Sequence, residues 1–337
     1  MNDPVLDTLC LPLLEELIEL PSDSPALFLR ARRGDAFDDL PHDRLLCEQT
    51  FKPAYDALER TGFLLRGMDD DTRYGLVMVL PPRQREESRS LLARAVLSTR
   101  DGGIVMAAVS NLEGAKTVEG DLKALCGSVT SLSKNKCRVF WAHVGDGVDQ
   151  GLLAEWRDLD APRPVVEGRF ISRPGLFAWD HFDPGSKLLA DNLPVFKGVG
   201  ADLGAGFGYL AENVLRRSPE VTRLDLYEAE SRALDLAREN LANFDDRATY
   251  QWRDVTKGIE SGYDFIVSNP PFHTDRADRH DLGKGFIRSA AASLKTGGAL
   301  WMVANRHLPY EETLKAAFKT VVVMAQDNYF KVFKAIR

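Results

Sequence analysis

The residues with the most pointed chemistry in this chain are Asn269, Pro270, Pro271 and Phe272, which follow Ser268 without interruption. An amino group attached to an aromatic ring is a poor nucleophile, because its lone pair is delocalised into the ring. Two acceptors that hold its hydrogens draw the nitrogen toward tetrahedral geometry and aim the lone pair at an electrophile. The Asn269 side-chain oxygen and the Pro270 carbonyl are suited to that task. The prolines fix φ and restrict the residues before them, which keeps both oxygens preorganised. Phe272 offers a flat face on which a base can stack. No general base is needed at the outset, since the proton can leave after transfer from a nitrogen that is by then cationic. A rigid strand-ending turn would also use Pro-Pro, but it has no need of the Asn or the Phe.

A second constellation is Asp202-Leu-Gly-Ala-Gly-Phe-Gly208. Gly204 and Gly206, with Ala205 between them and Gly208 after, permit a tight turn and a close approach of ligand to backbone. The spacing departs from the G-x-G-x-x-G of dinucleotide sites, where a pyrophosphate sits on a helix N-terminus. Asp202 would repel a pyrophosphate but suits a ligand bearing an ammonium, such as the methionine moiety of S-adenosylmethionine (SAM). A turn serving only strand–helix packing is the other reading. Glu228 closes the next predicted strand, Leu224-Asp-Leu-Tyr-Glu228, where a carboxylate can accept from two ribose hydroxyls. Asp225, inside that strand, is the weaker candidate. Asp254 and Val255 follow the third strand and are assigned to the cofactor site, with Asp254 accepting from the adenine amino group. A solvated loop aspartate fits that position equally.

These residues need a scaffold that brings strand ends together. Strand patterns at 198–203, 221–227, 247–252, 263–268 and 299–303 alternate with helix patterns at 207–217, 231–242, 284–294 and 310–318. Ser231 is the expected cap of the second helix, and Gly297-Gly298 the expected close of the third. Segments 321–324 and 329–336, joined at Asp327-Asn328, read as a final pair. Repeated βα units imply a doubly wound, mostly parallel sheet, and the tight final turn implies an antiparallel last strand. In such sheets ligands bind beyond the carboxyl ends of the strands, so the glycine turn and the Asn-Pro-Pro-Phe turn can line one crevice.

The first half repeats this pattern. Tyr74-Gly-Leu-Val-Met-Val-Leu-Pro-Pro-Arg83 parallels Tyr263-Asp-Phe-Ile-Val-Ser-Asn-Pro-Pro-Phe272; Gly102-Gly103 parallels Gly297-Gly298; and Lys134-Asn-Lys-Cys-Arg-Val-Phe140 parallels Asp327-Asn-Tyr-Phe-Lys-Val-Phe333. The offsets of 189, 195 and 193 residues leave room only for small insertions. Three matches in order predict two copies of one fold, although two unrelated α/β domains with similar strand-Pro-Pro turns would also produce them. Leu80 stands for Asn269 and Arg83 for Phe272, and nothing in the first half matches the glycine turn. The expectation is two tandem Rossmann-like folds. Residues 1–164 form a degenerate copy for RNA binding or support, and residues 165–337 the catalytic domain. The linker falls at 158–164.

Composition is that of an ordinary globular protein, with 44% hydrophobic and 28% charged residues. Residues 1–165 hold 20 Lys+Arg against 27 Asp+Glu, and the second half is balanced, so charge-driven, non-specific nucleic-acid binding is disfavoured. A local basic groove remains compatible, because screening acts over about 10 Å. The apolar run from Leu9 to Leu14 is too short for a membrane span and lacks a signal peptide's basic start. A cytoplasmic protein with no membrane association is expected. Cys10, Cys47, Cys126 and Cys137 are scattered, without metal-ligand spacing, and read as buried reduced thiols; no metal is expected.

Ser268–Phe272 with His273, the glycine turn, Val303-Ala-Asn-Arg-His-Leu-Pro309 and Phe330-Lys-Val-Phe-Lys-Ala-Ile336 together resemble the bacterial ribosomal RNA guanine-N2 methyltransferases of the RsmC/RlmG type. The resemblance is specific over about residues 170–337 and looser before. It implies a SAM-dependent class I methyltransferase with a degenerate N-terminal copy, a guanine in ribosomal RNA as substrate, and N2-methylguanine as product. The small ribosomal subunit is the favoured partner and a monomer the expected state. Arg173-Pro-Gly-Leu-Phe-Ala-Trp-Asp-His-Phe-Asp-Pro-Gly-Ser186 resembles the family's segment that closes over the SAM site, through Phe177, Asp183 and Gly185. Adenine-N6 and glutamine-N5 methyltransferases also use an Asn-Pro-Pro turn, more often ended by Tyr, and a SAM- or RNA-binding chaperone is the alternative without turnover. For RNA positioning the candidates are Arg276, Arg279, His280 and Lys284, the cluster Arg30, Arg32 and Arg33, and the cluster Lys134, Lys136 and Arg138. Solvated surface charge explains each group as well. The target base must be unpaired or flipped to reach the pocket.

Overall fold

In the computed structural model the described residues are 3–67, 72–271 and 278–337, with the backbone alone for 278–280. The chain divides into two compact units, Met1–Ala161 and Pro162–Arg337. The segment expected as linker is thus partly structured: a short hairpin of the second unit already begins at Arg163.

The first unit carries strands β1 (Ala26–Leu29), β2 (Leu45–Glu48), β3 (Leu64–Leu65), β4 (Tyr74–Val79), β5 (Thr99–Ser110), β6 (Thr130–Lys134) and β7 (Cys137–His143). The second opens with the hairpin β8 (Arg163–Val165) and β9 (Phe170–Ser172). Its sheet holds β10 (Lys197–Leu203), β11 (Glu220–Glu228), β12 (Ala248–Trp252), β13 (Tyr263–Ser268), β14 (Leu294–Asn305), β15 (Thr320–Gln326) and β16 (Phe330–Ile336). Both sheets have seven strands in one order, β3-β2-β1-β4-β5-β7-β6 and β12-β11-β10-β13-β14-β16-β15. The pairings are parallel except at the last two strands of each sheet.

The repeat holds residue by residue. β4 and β13 share one burial pattern, and so do the twelve-residue strands β5 and β14. The parallel ladder slips just after Tyr74 in one copy and just after Tyr263 in the other. Apolar side chains cover both faces of each sheet. In the second unit Leu224, Leu226, Phe265 and Val267 pack on one face, and Tyr227, Tyr263, Ile266 and Met302 on the other. This two-sided burial is why β13 reads as a continuous apolar run. The four cysteines are free and buried, and burial pushes the Cys47 thiol up to about 12 and that of Cys126 to about 11.

Two local expectations need correction. Glu230, not Ser231, caps helix Ser231–Asn240, its carboxylate accepting from the Arg232 amide. Gly297 and Gly298 do not close a helix: the helix Asp278–Ser293 runs directly into β14, and the glycines lie within that strand, where its ladder shifts.

Gly200, in mid-β10, faces Phe265 on β13. A Cβ there would fall 2.1 Å from Phe265 Cζ, and that ring is stacked on Phe196 at 4.0 Å. The ring has nowhere to yield. Gly200→Ala should therefore cost about 1–3 kcal/mol of overpacking, read as a lower midpoint in a denaturant titration. An unchanged midpoint would mean that this contact is looser than the structure has it.

Candidate active site

β10 and β13 are neighbours, yet the chain leaves them in opposite directions, through β11 and β12 on one side and β14 on the other. Their carboxyl ends mark the point where strand order reverses, which is where open α/β sheets bind ligands. Both constellations lie there. Asp202 pairs in register with Val267 and Leu203 with Ser268, so Gly204 and Asn269 emerge side by side. The Ser268 hydroxyl donates to the Leu203 carbonyl at 2.8 Å and ties the two strand ends together. A Cβ on Gly204 would lie 3.8 Å from the Asn269 carbonyl oxygen and 3.4 Å from the Phe286 ring.

Gly204, Gly206 and Gly208 all have positive φ, as the turn requires. Around Gly206 a Cβ would meet nothing within 4 Å, so the turn presents open backbone to the crevice. Ala205 is buried, and its amide and that of Gly204 donate to the Tyr227 carbonyl. Asp202 is fully buried, and neither of its carboxylate oxygens has a hydrogen-bonding partner among the described residues. Burial first, and the Glu228 charge second, raise its carboxyl to about 8. The Ala211 amide acts the other way but does not offset burial; ionising this carboxyl is costly, and a cation delivered to it would favour the ionised form.

Glu228 ends β11 as expected. Its Oε2 accepts from the Gly206 amide at 2.8 Å, and its Oε1 from Ala229 and Glu230 at 2.7 and 2.9 Å. Burial is the largest influence on this carboxyl and pushes it up, against those three amides. Oε2, with one donor, keeps acceptor capacity for a hydroxyl, whereas Oε1 already has two donors. Asp225 faces elsewhere, in a closed network with Thr249, Arg223 and Tyr263, whose hydroxyl also meets that of Tyr227. Asp254 caps the turn Val255–Lys257, accepting from the Thr256 amide and hydroxyl through Oδ1, while Oδ2 lies 3.6 Å from Lys257 Nζ. Val255 is buried, and its carbonyl accepts from Ser289 at 2.6 Å.

Asn269 is partly buried, Pro270 buried and Pro271 exposed. The Asn269 Nδ2 donates to Asp183 Oδ2 at 2.9 Å and to Ser186 Oγ at 2.7 Å, and its Oδ1 is buried without a partner. Asp183 also caps helix Pro184–Asn192. Gly185 is pressed under Phe330, since a Cβ there would sit 3.1 Å from the ring. Phe177 is more than half exposed, but its neighbour Leu176 packs with Phe207 of the glycine turn. Phe272, His273 and Arg276 lie outside the described residues, as do the side chains of Arg279 and His280; Lys284 pairs with Asp281 at 3.5 Å. Ser186, Phe286 and Phe330 were not singled out as site residues. Asp-Pro-Gly-Ser reads as a helix start and so carried a signal for Ser186; Phe286 sits on a helix face with no mark to distinguish it from core.

The first copy shows what the same positions look like without the site. By register Phe28 stands for Asp202, Arg30 for Gly204 and Gln49 for Glu228, and Leu80 replaces Asn269. Its basic cluster is engaged locally: Arg30 pairs with Glu87 at 2.9 Å, Arg32 with Asp3, and Arg33 with Asp38 at 2.8 Å. Arg138 pairs with Glu119, and Lys134 lies 3.9 Å from Glu15.

Residues 167–334 match the methyltransferase small domain family. The Ribosomal RNA small subunit methyltransferase C of Pectobacterium atrosepticum is 31% identical, over 75% of this chain and 72% of that protein. The chain belongs to the ribosomal RNA small subunit methyltransferase C family. It is accordingly a SAM-dependent methyltransferase. The family member from Shewanella halifaxensis is 28% identical over 80% of each chain. The Thermus thermophilus 16S rRNA N2 G1207 methyltransferase, solved with AdoMet and guanosine, superposes with a TM-score of 0.81 at 23% identity, over 100% of this chain and 92% of that one, which shows a shared tandem fold. The residues of the crevice fit this cofactor: an orphaned buried carboxylate for an ammonium, open glycine backbone, and a strand-end glutamate for a ribose.

Proposed function

We propose that this chain methylates the exocyclic N2 amino group of a guanine in 16S ribosomal RNA. The observation that carries this reading is the Asn269 carboxamide oxygen, buried, without a partner, and beside the glycine turn. When bound, SAM supplies an electrophilic methyl group. Asp202 holds the ammonium of its methionine moiety, Glu228 its ribose, and Asp254 its adenine amino group through the oxygen not used in capping; Val255 lines that end and Gly204–Gly208 the middle. Asn269 Oδ1 and the Pro270 carbonyl accept the two amino hydrogens of the base, and Phe272 stacks on its ring. The methylated, cationic nitrogen then releases a proton to water. Family members carry the small-subunit name, which favours 16S over large-subunit RNA. Residues 1–164 present or support the RNA, having lost the means to hold SAM. The protein acts as a cytoplasmic monomer on the small ribosomal subunit.

The test is to incubate the chain with labelled SAM and with total RNA, DNA or protein from cells lacking it, then to digest the 16S RNA and identify the modified nucleoside by mass spectrometry. N2-methylguanosine in 16S RNA is expected. Label confined to protein, or N6-methyladenine as product, would sink the reading.

A further inference from the structure

We infer that Asp183 and Ser186 are positioning residues for methyl transfer, acting through Asn269 by taking both hydrogens of its carboxamide and so aiming its oxygen at the acceptor amine. The inference rests on the reading of Asn269 given above. A carboxamide fits its slot in two nearly isosteric orientations, and only one of them presents an acceptor to the substrate. The flipped amide would set N–H against N–H. It would also turn its oxygen toward Asp183, and an ionised carboxylate can only accept. The Asp183 Oδ2 at 2.9 Å and the Ser186 Oγ at 2.7 Å from Nδ2 therefore select one orientation and leave Oδ1 as the unpaired buried atom.

The clamp is itself held. Asp183 Oδ2 accepts from the Ser186 amide at 2.7 Å, and Pro184 fixes the first helical φ. A side chain at Gly185 would press on Phe330 of β16 and on the Asp183 carboxylate, each 3.1 Å away, and Leu189 and Ala190 anchor the helix in the core.

The first copy separates capping from positioning. Helix Pro4–Leu14 packs against β5 and β7 as Pro184–Asn192 packs against β14 and β16, and it too starts with an Asp-Pro pair whose Asp3 caps it. There Asp3 pairs with Arg32, and the positions of Ser186 and Asn269 hold Leu6 and Leu80, both in one apolar cluster. The cap survives where the site has decayed. The serine and the asparagine are absent together, as expected if the serine serves the asparagine rather than the helix.

The experiment uses the full chain, small ribosomal subunits from cells lacking this enzyme, and saturating SAM. Single-turnover rate, KM for subunits and calorimetric Kd for SAM are measured for Ser186→Ala, Ser186→Thr, Asp183→Ala and Asn269→Ala. Ser186→Ala and Asp183→Ala should lower the rate about 10-fold or more, as misaimed reacting groups do, with KM and Kd unchanged. Ser186→Thr, which keeps the hydroxyl, should restore most of the rate, and Ser186→Ala should cost nothing further on an Asn269→Ala background. A wild-type rate for Ser186→Ala, or equal losses for Ala and Thr, would overturn the inference while leaving the role of Asn269 standing. So would Asp183→Ala weakening SAM binding with the saturated rate intact. A full rate for Asn269→Ala would overturn the reading of that residue, and the inference with it.

Discussion

Asn269→Ala is expected to lower the single-turnover rate of methyl transfer about 10²–10³-fold, the range seen when one preorganised polar partner of a developing charge is removed. SAM affinity should stay nearly unchanged. The side chain's two donor hydrogens are occupied by Asp183 and Ser186, and its buried oxygen takes no part in the glycine turn's own hydrogen bonds. Removing it leaves Asp202, Glu228 and the open backbone at Gly206 in place. The loss should fall on the rate and not on the cofactor, because the acceptor hydrogen bonds strengthen only as the amino nitrogen gains positive charge. Asn269→Asp is the sharper companion: a carboxylate at 269 would face the acceptor-only Asp183 and should be as impaired as Ala. Calorimetry separates the alternatives. A collapse of SAM affinity in Asn269→Ala would mean that the residue holds the cofactor rather than the base.

Much of this was legible in the sequence, for physical reasons. β13 was bounded exactly at 263–268, because a strand buried on both faces reads as an unbroken apolar run stopped by Asn-Pro. The repeat was legible where backbone geometry constrains residue type: at the Pro-Pro turns, and at the paired glycines of β5 and β14, which sit at the same irregularity in both ladders. Those glycines misled at the next level, since a Gly-Gly after a helix pattern looks like a cap. Ser231 misled in the same way, because the preceding Glu230 reaches the free amide instead. The partner of Asn269 was illegible as a partner. Asp183 stands 86 residues away, and only the fold shows that a helix cap and a strand-end amide share one carboxylate oxygen. The decay of the first copy was visible at Leu80 but not at Phe28 or Gln49, whose correspondence to Asp202 and Glu228 needs strand register.

Cofactor binding should be strongly linked to protons, through Asp202. Its carboxyl is raised from 3.8 to about 8, by burial first and by the Glu228 charge second. At pH 7 the free protein therefore holds it mostly protonated, and pairing with an ammonium requires it ionised. SAM binding at pH 7 should release about one proton, measurable as a dependence of the calorimetric heat on buffer ionisation enthalpy. Apparent affinity should tighten about tenfold per pH unit up to about pH 7 and level off toward pH 8. Above that range it should fall again, as an α-amino group titrating at about 7.7–8.0 loses the charge that Asp202 recognises. The same shift fixes the sign for folding. Between 3.8 and about 8 the native state keeps a proton that the unfolded chain has lost, so this group makes the cofactor-free protein less stable as pH rises through that window, by up to about 1.4 kcal/mol per unit. Asp202→Asn cannot ionise. It should lose SAM affinity about 10- to 100-fold, the worth of a hydrogen bond to a charged group. It should also lose the acid limb of the binding profile, and show a flatter fall of Tm between pH 5 and 8 than the parent. Glu228 keeps a contribution of the same sign in both proteins, since its carboxyl is also raised by burial, so the difference between the two profiles reports Asp202 together with its coupling to Glu228. A parent protein that binds SAM with no proton release at pH 7, or an Asp202→Asn variant with the parent's affinity, would remove Asp202 from the cofactor site.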